Sequence, residues 1–357
     1  MDRVSRYQLF LMGAMYTHVL SIKYLHTQVI GSAKQSAWLA YPLTYLLVLL
    51  PLALFSGILR KNPEQTLLNA LSTQFPRASK GVVFFYLCFF LYILARDLET
   101  LTHIINTYLL PMTPLIIIAS LIIALAILSA RSGLQTIGRM TEVFFPVFVI
   151  IILITPVVLA PQMQVRFLSP IWDESLYPLL RGVWLTLGYL GEIIIIPLIV
   201  IGSHYSVKQV ASSLLFSVFL SEAFMVMTIL ILGPELTGHL LEPSLELVRL
   251  IRISDFLDRF DLPIVAIWLP CVILKISLTL YAASRAFHFL FPAIDYRVIP
   301  TYLGIFGLSF TMWFYDNPLQ ILSLNEWWPA AIVFVGFLLP LLLRFVIRRE
   351  AKQEEMV

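Results

Sequence analysis

Gly188–Pro197 reads GYLGEIIIIP and lies inside an apolar run long enough to cross a bilayer. Gly188 and Gly191 bracket Tyr189 and Leu190, and Glu192 follows at once. A carboxylate at membrane depth is costly and usually faces a cavity or a polar partner. Two readings fit these residues. In one, the chain unwinds at Gly188–Gly191 and leaves amides and carbonyls free beside a cavity. A new half-helix then starts near Glu192, and its amide dipoles favour an anion, either the Glu192 carboxylate or that of a ligand. In the other, the glycines allow close helix packing and Glu192 pairs with a base. The unwound hinge is the expectation carried forward, with Pro197 kinking the segment that follows.

The rest of the chain has the same character. Its 357 residues are 59% hydrophobic and 13% charged, against roughly 25% charged in soluble domains. Mean hydropathy is +0.89. The apolar residues fall in blocks, which predicts an all-α polytopic membrane protein. Ten transmembrane spans are expected, at about 7–31, 37–59, 79–108, 112–130, 140–161, 176–202, 209–232, 262–290, 298–315 and 327–347. The third and eighth exceed the roughly 20 residues a crossing needs, so they tilt or protrude. The whole chain, 1–357, is expected to form one transmembrane domain. Cys88 and Cys271 lie in apolar runs and read as small buried or lipid-facing residues. No cleavable signal peptide is evident at the start.

Basic residues in short loops orient the spans. Arg3, Arg6, Arg60, Lys61, Arg77, Lys80, Arg131, Arg139, Lys208, Arg285, Arg297, Arg344, Arg348, Arg349 and Lys352 fall on one side. Lys34, Arg166, Arg181, Arg249, Arg252 and Arg259 fall on the other. This bias predicts that both termini are cytoplasmic. On the outer side, EPSLELVRLIRISDFLDRF (242–260) has helical apolar spacing, with Leu245, Val248, Ile251, Phe256 and Leu257 on one face. An outer amphipathic segment is expected over about 235–261, either resting on the surface or serving as a lid or docking element.

Few charges interrupt the spans. In the first, GAMYTHVLSIKYLHTQ (13–28) sets Thr17, His18, Ser21 and Lys23 where a plain anchor would be apolar. A break between about Thr17 and Ser21 is expected, with Lys23 holding a positive charge in the cavity or pairing with a carboxylate. His18 reads as an interhelical hydrogen-bonding group or a proton carrier. In the third span, Tyr92, Arg96 and Glu99 share a helix face, continued by His103. Arg96 and Glu99 can pair locally, or the stripe can line a pathway or gate toward the outer end. In the eighth span, Lys275 and Thr279 share one face and Ser277 and Tyr281 another. Lys275 is a candidate for a fixed cation between the first and eighth spans.

No GxxxxGK[ST] loop, HExxH or cysteine–histidine metal spacing is present. No nucleophile–base–orienter series stands out. The chain reads as a non-enzyme with no cofactor, no metal site and no nucleic-acid partner; its partners are the lipid bilayer and a small ligand.

Several stretches together resemble the spore-germination permease-like family, the B-type integral-membrane subunit of nutrient germinant receptors. They include RVSRYQLFL (3–11), SAWLAYP (36–42), FFLYILARDLETLTHIINTYLLPMTP (89–114), SARSGLQTIGRMTEVFFP (129–146), FLSPIWDESLYPLLRG (167–182), GYLGEIIIIP and LKISLTLYAASRAF (274–287). The resemblance covers nearly the whole chain. It implies the amino acid–polyamine–organocation superfamily and a LeuT-like fold with inverted five-helix repeats, about 7–161 and 176–347, whose first helices are broken. It also implies nutrient sensing in the inner membrane of a spore, with A-type and lipoprotein C-type subunits as partners. A ligand, commonly an amino acid, would lie against Thr17, His18, Ser21, Gly188, Tyr189, Gly191 and Glu192. Lys23, Tyr92, Arg96, Glu99, Lys275, Thr279 and Tyr281 would border its pathway. His18 and Lys23 depart from the more apolar, glycine-rich family pattern. The alternative is an autonomous ion-coupled transporter of amino acids or organic cations.

Overall fold

The computed structural model describes residues 4–61, 63–74, 79–169, 176–251, 261–315 and 319–341. The fold is helical: α1 Arg6–His18, α2 Tyr24–Ala33, α3 Ala40–Leu59, α4 Leu67–Gln74, α5 Ser79–Tyr108, α6 Leu115–Arg131, α7 Leu134–Leu159, α8 Leu176–Leu190, α9 Ile195–Ile199, α10 Val207–Leu232, α11 Pro234–His239, α12 Pro243–Arg249, α13 Asp261–Leu290, α14 Ile299–Phe314 and α15 Leu319–Ile332. Seven helical stretches among the described residues are long and apolar enough to cross a membrane, and Leu115–Arg131 and Ile299–Phe314 are shorter apolar helices. The 30-residue helices α5 and α13 would each reach about 45 Å at 1.5 Å per residue. They pack on one another along the middle of the molecule.

Burial separates inner helices from outer ones. The apolar window of Leu176–Ile199 is 94% buried, whereas that of Leu134–Gln162 is 28% buried. Leu46 and Leu50 on α3, Leu121 and Leu128 on α6, and Ile150 and Val157 on α7 stay exposed. In hydrocarbon such residues face lipid at no cost, so this exposure marks the perimeter of the bundle. The interior is built by α1, α8 and α9, with α5 and α13 on one side and α10 on another.

Local chemistry sets the first break. Ser5 caps α1 by accepting from the Gln8 amide, and the Gln8 side chain accepts from the Ser5 amide, a reciprocal cap that starts the helix firmly. Helix α1 stops at His18, and turn bonds from Ser21 N to His18 O and from Lys23 N to Leu20 O carry the chain to Tyr24. Trp268 Nε1 donates to Val19 O at 2.8 Å, satisfying a carbonyl that the break leaves without a helical partner.

The expected unwinding at Gly188–Gly191 does not occur. Helix α8 continues through Leu190, and Gly191–Ile194 tightens into a 3-10 turn that leads into α9. The backbone stays helical at Leu190 (φ −66°, ψ −33°) and turns extended only at Val200 (φ −96°, ψ 157°). Glu192 therefore begins no separate half-helix. The glycines serve packing instead. A Cβ on Gly191 would lie 2.2 Å from Ile332 Cγ2, and one on Gly188 would lie 3.1 Å from Trp328 Cδ1. Both neighbours belong to α15, which rests on this glycine face.

The outer segment, expected as an amphipathic helix or helix pair, holds two helices among the described residues. Helices α11 and α12 are short, and Leu247, Val248 and Ile251 turn inward and are buried. Phe256 and Leu257 lie outside the described residues, as do the basic positions Arg3, Arg77, Arg252, Arg259, Arg344, Arg348, Arg349 and Lys352. Helix α11 meets α2 backbone to backbone: a Cβ on Gly238 would come within 2.9 Å of Gly31 Cα. Main chain cannot swing aside as a side chain can. Gly238→Ala should therefore cost about 1–3 kcal/mol, read as a lower unfolding midpoint in detergent. An unchanged midpoint would show that the contact is not a tight one.

Candidate functional site

Four charged side chains close into a ring at the centre. Helix α5 supplies Arg96 and Asp97, the 3-10 turn supplies Glu192, and α13 supplies Lys275. Arg96 Nη1 lies 2.7 Å from Glu192 Oε1, and Arg96 Nη2 lies 2.7 Å from Asp97 Oδ1. Lys275 Nζ lies 2.9 Å from Glu192 Oε2 and 3.2 Å from Asp97 Oδ2. Two cations and two carboxylates alternate, so the ring is neutral overall. None of the four residues is more than 1% exposed. Arg96 Nη1 and Asp97 Oδ2 make their contacts off the hydrogen-bond direction, so these two hold as ion pairs with a directional bond unfilled.

Aromatic groups wall the ring. Trp328 Nε1 donates to Gly188 O at 2.8 Å and to Glu192 Oε1 at 3.2 Å. Arg96 lies over the Tyr189 ring at 4.7 Å, and Lys275 over the Tyr16 ring at 5.0 Å. Such contacts favour a cation over a ring face. Tyr92 stacks on Trp328 at 4.4 Å. Tyr16 Oη and Thr279 Oγ1 share a hydrogen bond of 2.9 Å. Tyr189 donates to Asn325 Oδ1 at 3.2 Å. The place expected to hold a ligand is thus filled by the protein's own charges.

The family described as "Spore germination protein" matches residues 3–318. The chain belongs to this family. It is 34% identical to the protein YfkT of Bacillus subtilis (strain 168), over 98% of both chains. It is 25% identical to spore germination protein KB of the same organism, over 87% of this chain and 85% of that one. Among solved structures, MhsT in complex with L-phenylalanine superposes with a TM-score of 0.64 at 16% identity, covering 96% of this chain and 98% of that one. MHP1, a nucleobase-cation-symport-1 family transporter in a closed conformation, gives 0.63 at 14% identity, covering 90% and 75%. The germination-family chain is therefore an all-α, multi-pass membrane protein of LeuT-like, transporter-like fold. Its relatives are germination proteins and its structural neighbours are transporters, in keeping with a non-catalytic chain.

Within this family member, the expected site residues divide into separate groups. Gly188, Tyr189, Gly191 and Glu192 meet Tyr92, Arg96, Lys275 and Thr279 at the ring. Thr17, His18 and Ser21 do not join them. Thr17 Oγ1 donates to Ser217 Oγ at 2.8 Å, His18 Nδ1 lies 2.8 Å from Ser221 Oγ, and Ser21 Oγ lies 3.2 Å from Ser221 Oγ. These three face α10. Lys23 pairs instead with Glu242 at 3.1 Å. Glu99 pairs with His103 at 2.7 Å, not with Arg96. Arg96 sits deep in the molecule and not at an outer gate. Tyr281 lies in another region, its ring 6.3 Å from that of Tyr296.

Sequence reasoning gave Asp97, Tyr16 and Trp328 no role at the site. Asp97 follows Arg96 directly, and consecutive helical residues point to different faces. The long Arg96 side chain curls back to share its neighbour's side. Charge balance was the available signal. With Glu99 on His103, the two buried cations Arg96 and Lys275 demand a second carboxylate beside Glu192.

Proposed function

We propose that this chain is a nutrient-binding, permease-like subunit of the germination apparatus and takes an amino acid as ligand. It would cross the membrane ten times with both termini cytoplasmic, as one domain whose inverted repeats run over about 7–161 and 176–347. Its setting would be the spore inner membrane, with A-type and C-type subunits as partners. The observation that carries the reading is the neutral ring of Arg96, Asp97, Glu192 and Lys275. Burying four charges costs more desolvation than an apolar core would, and ionisable groups inside membrane bundles usually serve function. The ring offers both signs to a zwitterion: Arg96 and Lys275 toward a carboxylate, Asp97 and Glu192 toward an ammonium group. A ligand that inserts would exchange the internal pairs for its own and shift the packing of α5 against α13. Thr17, His18 and Ser21 would then act at the α1–α10 contact, coupling the first break to that shift.

A second reading is an autonomous ion-coupled amino acid or organic cation transporter. The fold likeness to MhsT and MHP1 supports it. The purified full-length chain in liposomes separates the two, using a panel of radiolabelled amino acids. Saturable binding without accumulation is expected of the receptor subunit, and ion-driven accumulation of the transporter. Glu192→Gln should weaken either by about tenfold or more. Unchanged binding in a folded Glu192→Gln protein would remove the ring from recognition.

A further inference from the structure

A second buried ion pair lies apart from the ring, beneath the outer segment. Lys23 and Glu242 are 3.1 Å apart and 5% and 8% exposed. Lys23 belongs to the break between α1 and α2. Glu242 is the residue before α12. Two further bonds stitch this strap to the break and to α2: Ser244 Oγ donates to Ile22 O, and Thr27 Oγ1 donates to Leu240 O. Beneath the strap is a cavity of about 80 Å3, walled by Phe148, Ile152, Phe224 and Trp268, with Lys23 and Glu242 at its edge. A cavity can hold a water once about 10–15 Å3 is open to it. This one has several times that space, yet its walls are aliphatic and aromatic carbon. Water would find few partners there, and an apolar space of this kind suits an apolar group instead.

We propose that this cavity is a ligand site, distinct from the charged ring, for a small zwitterion with an aliphatic side chain. It rests on the reading that the chain binds a small nutrient, and it adds a second place for such a molecule in addition to the ring. The side chain fills the carbon-walled space. The carboxylate takes Lys23 from Glu242, and the ammonium group takes Glu242. Lys23 is set up for this exchange, because Nζ also donates to Tyr24 Oη at 2.8 Å and to Thr100 O at 3.3 Å and keeps those acceptors throughout. A zwitterion leaves the buried charge balanced. A lone cation or anion would leave one member of the pair without a counter-charge. Because Glu242 sits on the strap, the exchange also alters what fastens the strap to the break.

Leucine is the probe, with 4-methylpentanoate and isoamylamine as the analogues lacking one charge each. Binding is measured by equilibrium dialysis on the full-length protein in nanodiscs. Leucine should bind saturably, and each analogue about a hundredfold more weakly or worse. Ile152→Trp, which fills the cavity, should abolish leucine binding at this site, whereas Gly57→Ala, where nothing lies within 4 Å of an added Cβ, should leave it within about threefold. Should Ile152→Trp fail to fold, Ile152→Ala decides: the larger cavity should shift preference from leucine toward phenylalanine. Absence of leucine binding overturns the site, as does an unshifted preference in Ile152→Ala. Binding that survives Ile152→Trp and vanishes in Glu192→Gln overturns it too, and assigns the ligand to the ring. Loss in Ile152→Trp with retention in Gly57→Ala supports the cavity, and any binding component that Glu192→Gln alone removes belongs to the ring.

Discussion

Glu192→Ala will destabilise the protein by about 3–5 kcal/mol, the range for breaking a buried ion pair from one side. The substitution removes the contacts to Arg96 Nη1 at 2.7 Å and to Lys275 Nζ at 2.9 Å. Asp97 is then the one carboxylate left in the ring for two cations, at a place with no measurable solvent exposure. Removing a cation as well restores neutrality. The double variant Glu192→Ala/Lys275→Met should therefore recover more than half of the loss, a strong departure from additivity between contacting residues. Reversible unfolding in mixed micelles measures both. If the double variant is as unstable as the sum of its singles, charge compensation is not what holds the ring together.

Gly191→Ala will cost about 1–3 kcal/mol by overpacking, although alanine normally favours a helical turn over glycine. The added methyl would lie 2.2 Å from Ile332 Cγ2, and α15 would have to move to relieve it. Ile332→Ala removes that methyl. Combined with Gly191→Ala it should be more stable than Ile332→Ala alone, because the new Cβ fills part of the cavity left behind. Gly57 is the control, since nothing lies within 4 Å of a Cβ placed there; Gly57→Ala should be neutral or slightly stabilising. A hinge that needs glycine for backbone freedom predicts otherwise: Gly191→Ala would impair function even with Ile332→Ala present. Melting curves for the four variants, together with amino acid binding by Gly191→Ala/Ile332→Ala, distinguish packing from hinge.

The helical, membrane-crossing class was legible because long apolar blocks leave the backbone no other way to satisfy its hydrogen bonds in lipid. The stop after His18 and the inward importance of Glu192, Arg96 and Lys275 were legible for a related reason: polar residues in such blocks are too costly to be incidental. Partners were not legible. Lys275 and Glu192 are 83 residues apart, and Trp328 and Glu192 are 136 apart. Helical periodicity carries information over a few residues on one face and says nothing about which faces meet. The two glycines of GYLGEIIIIP show the limit most clearly. In sequence, a glycine that frees the backbone and a glycine that makes room for a neighbour look the same. The difference lies in Ile332 and Trp328 on α15, which only the folded molecule brings against them. Tertiary packing likewise turned Thr17, His18 and Ser21 toward α10, joined Lys23 to Glu242, and made Asp97 the fourth member of the ring. The chain by itself determined that charges must be buried. Close packing of helices far apart in sequence determined which of them meet.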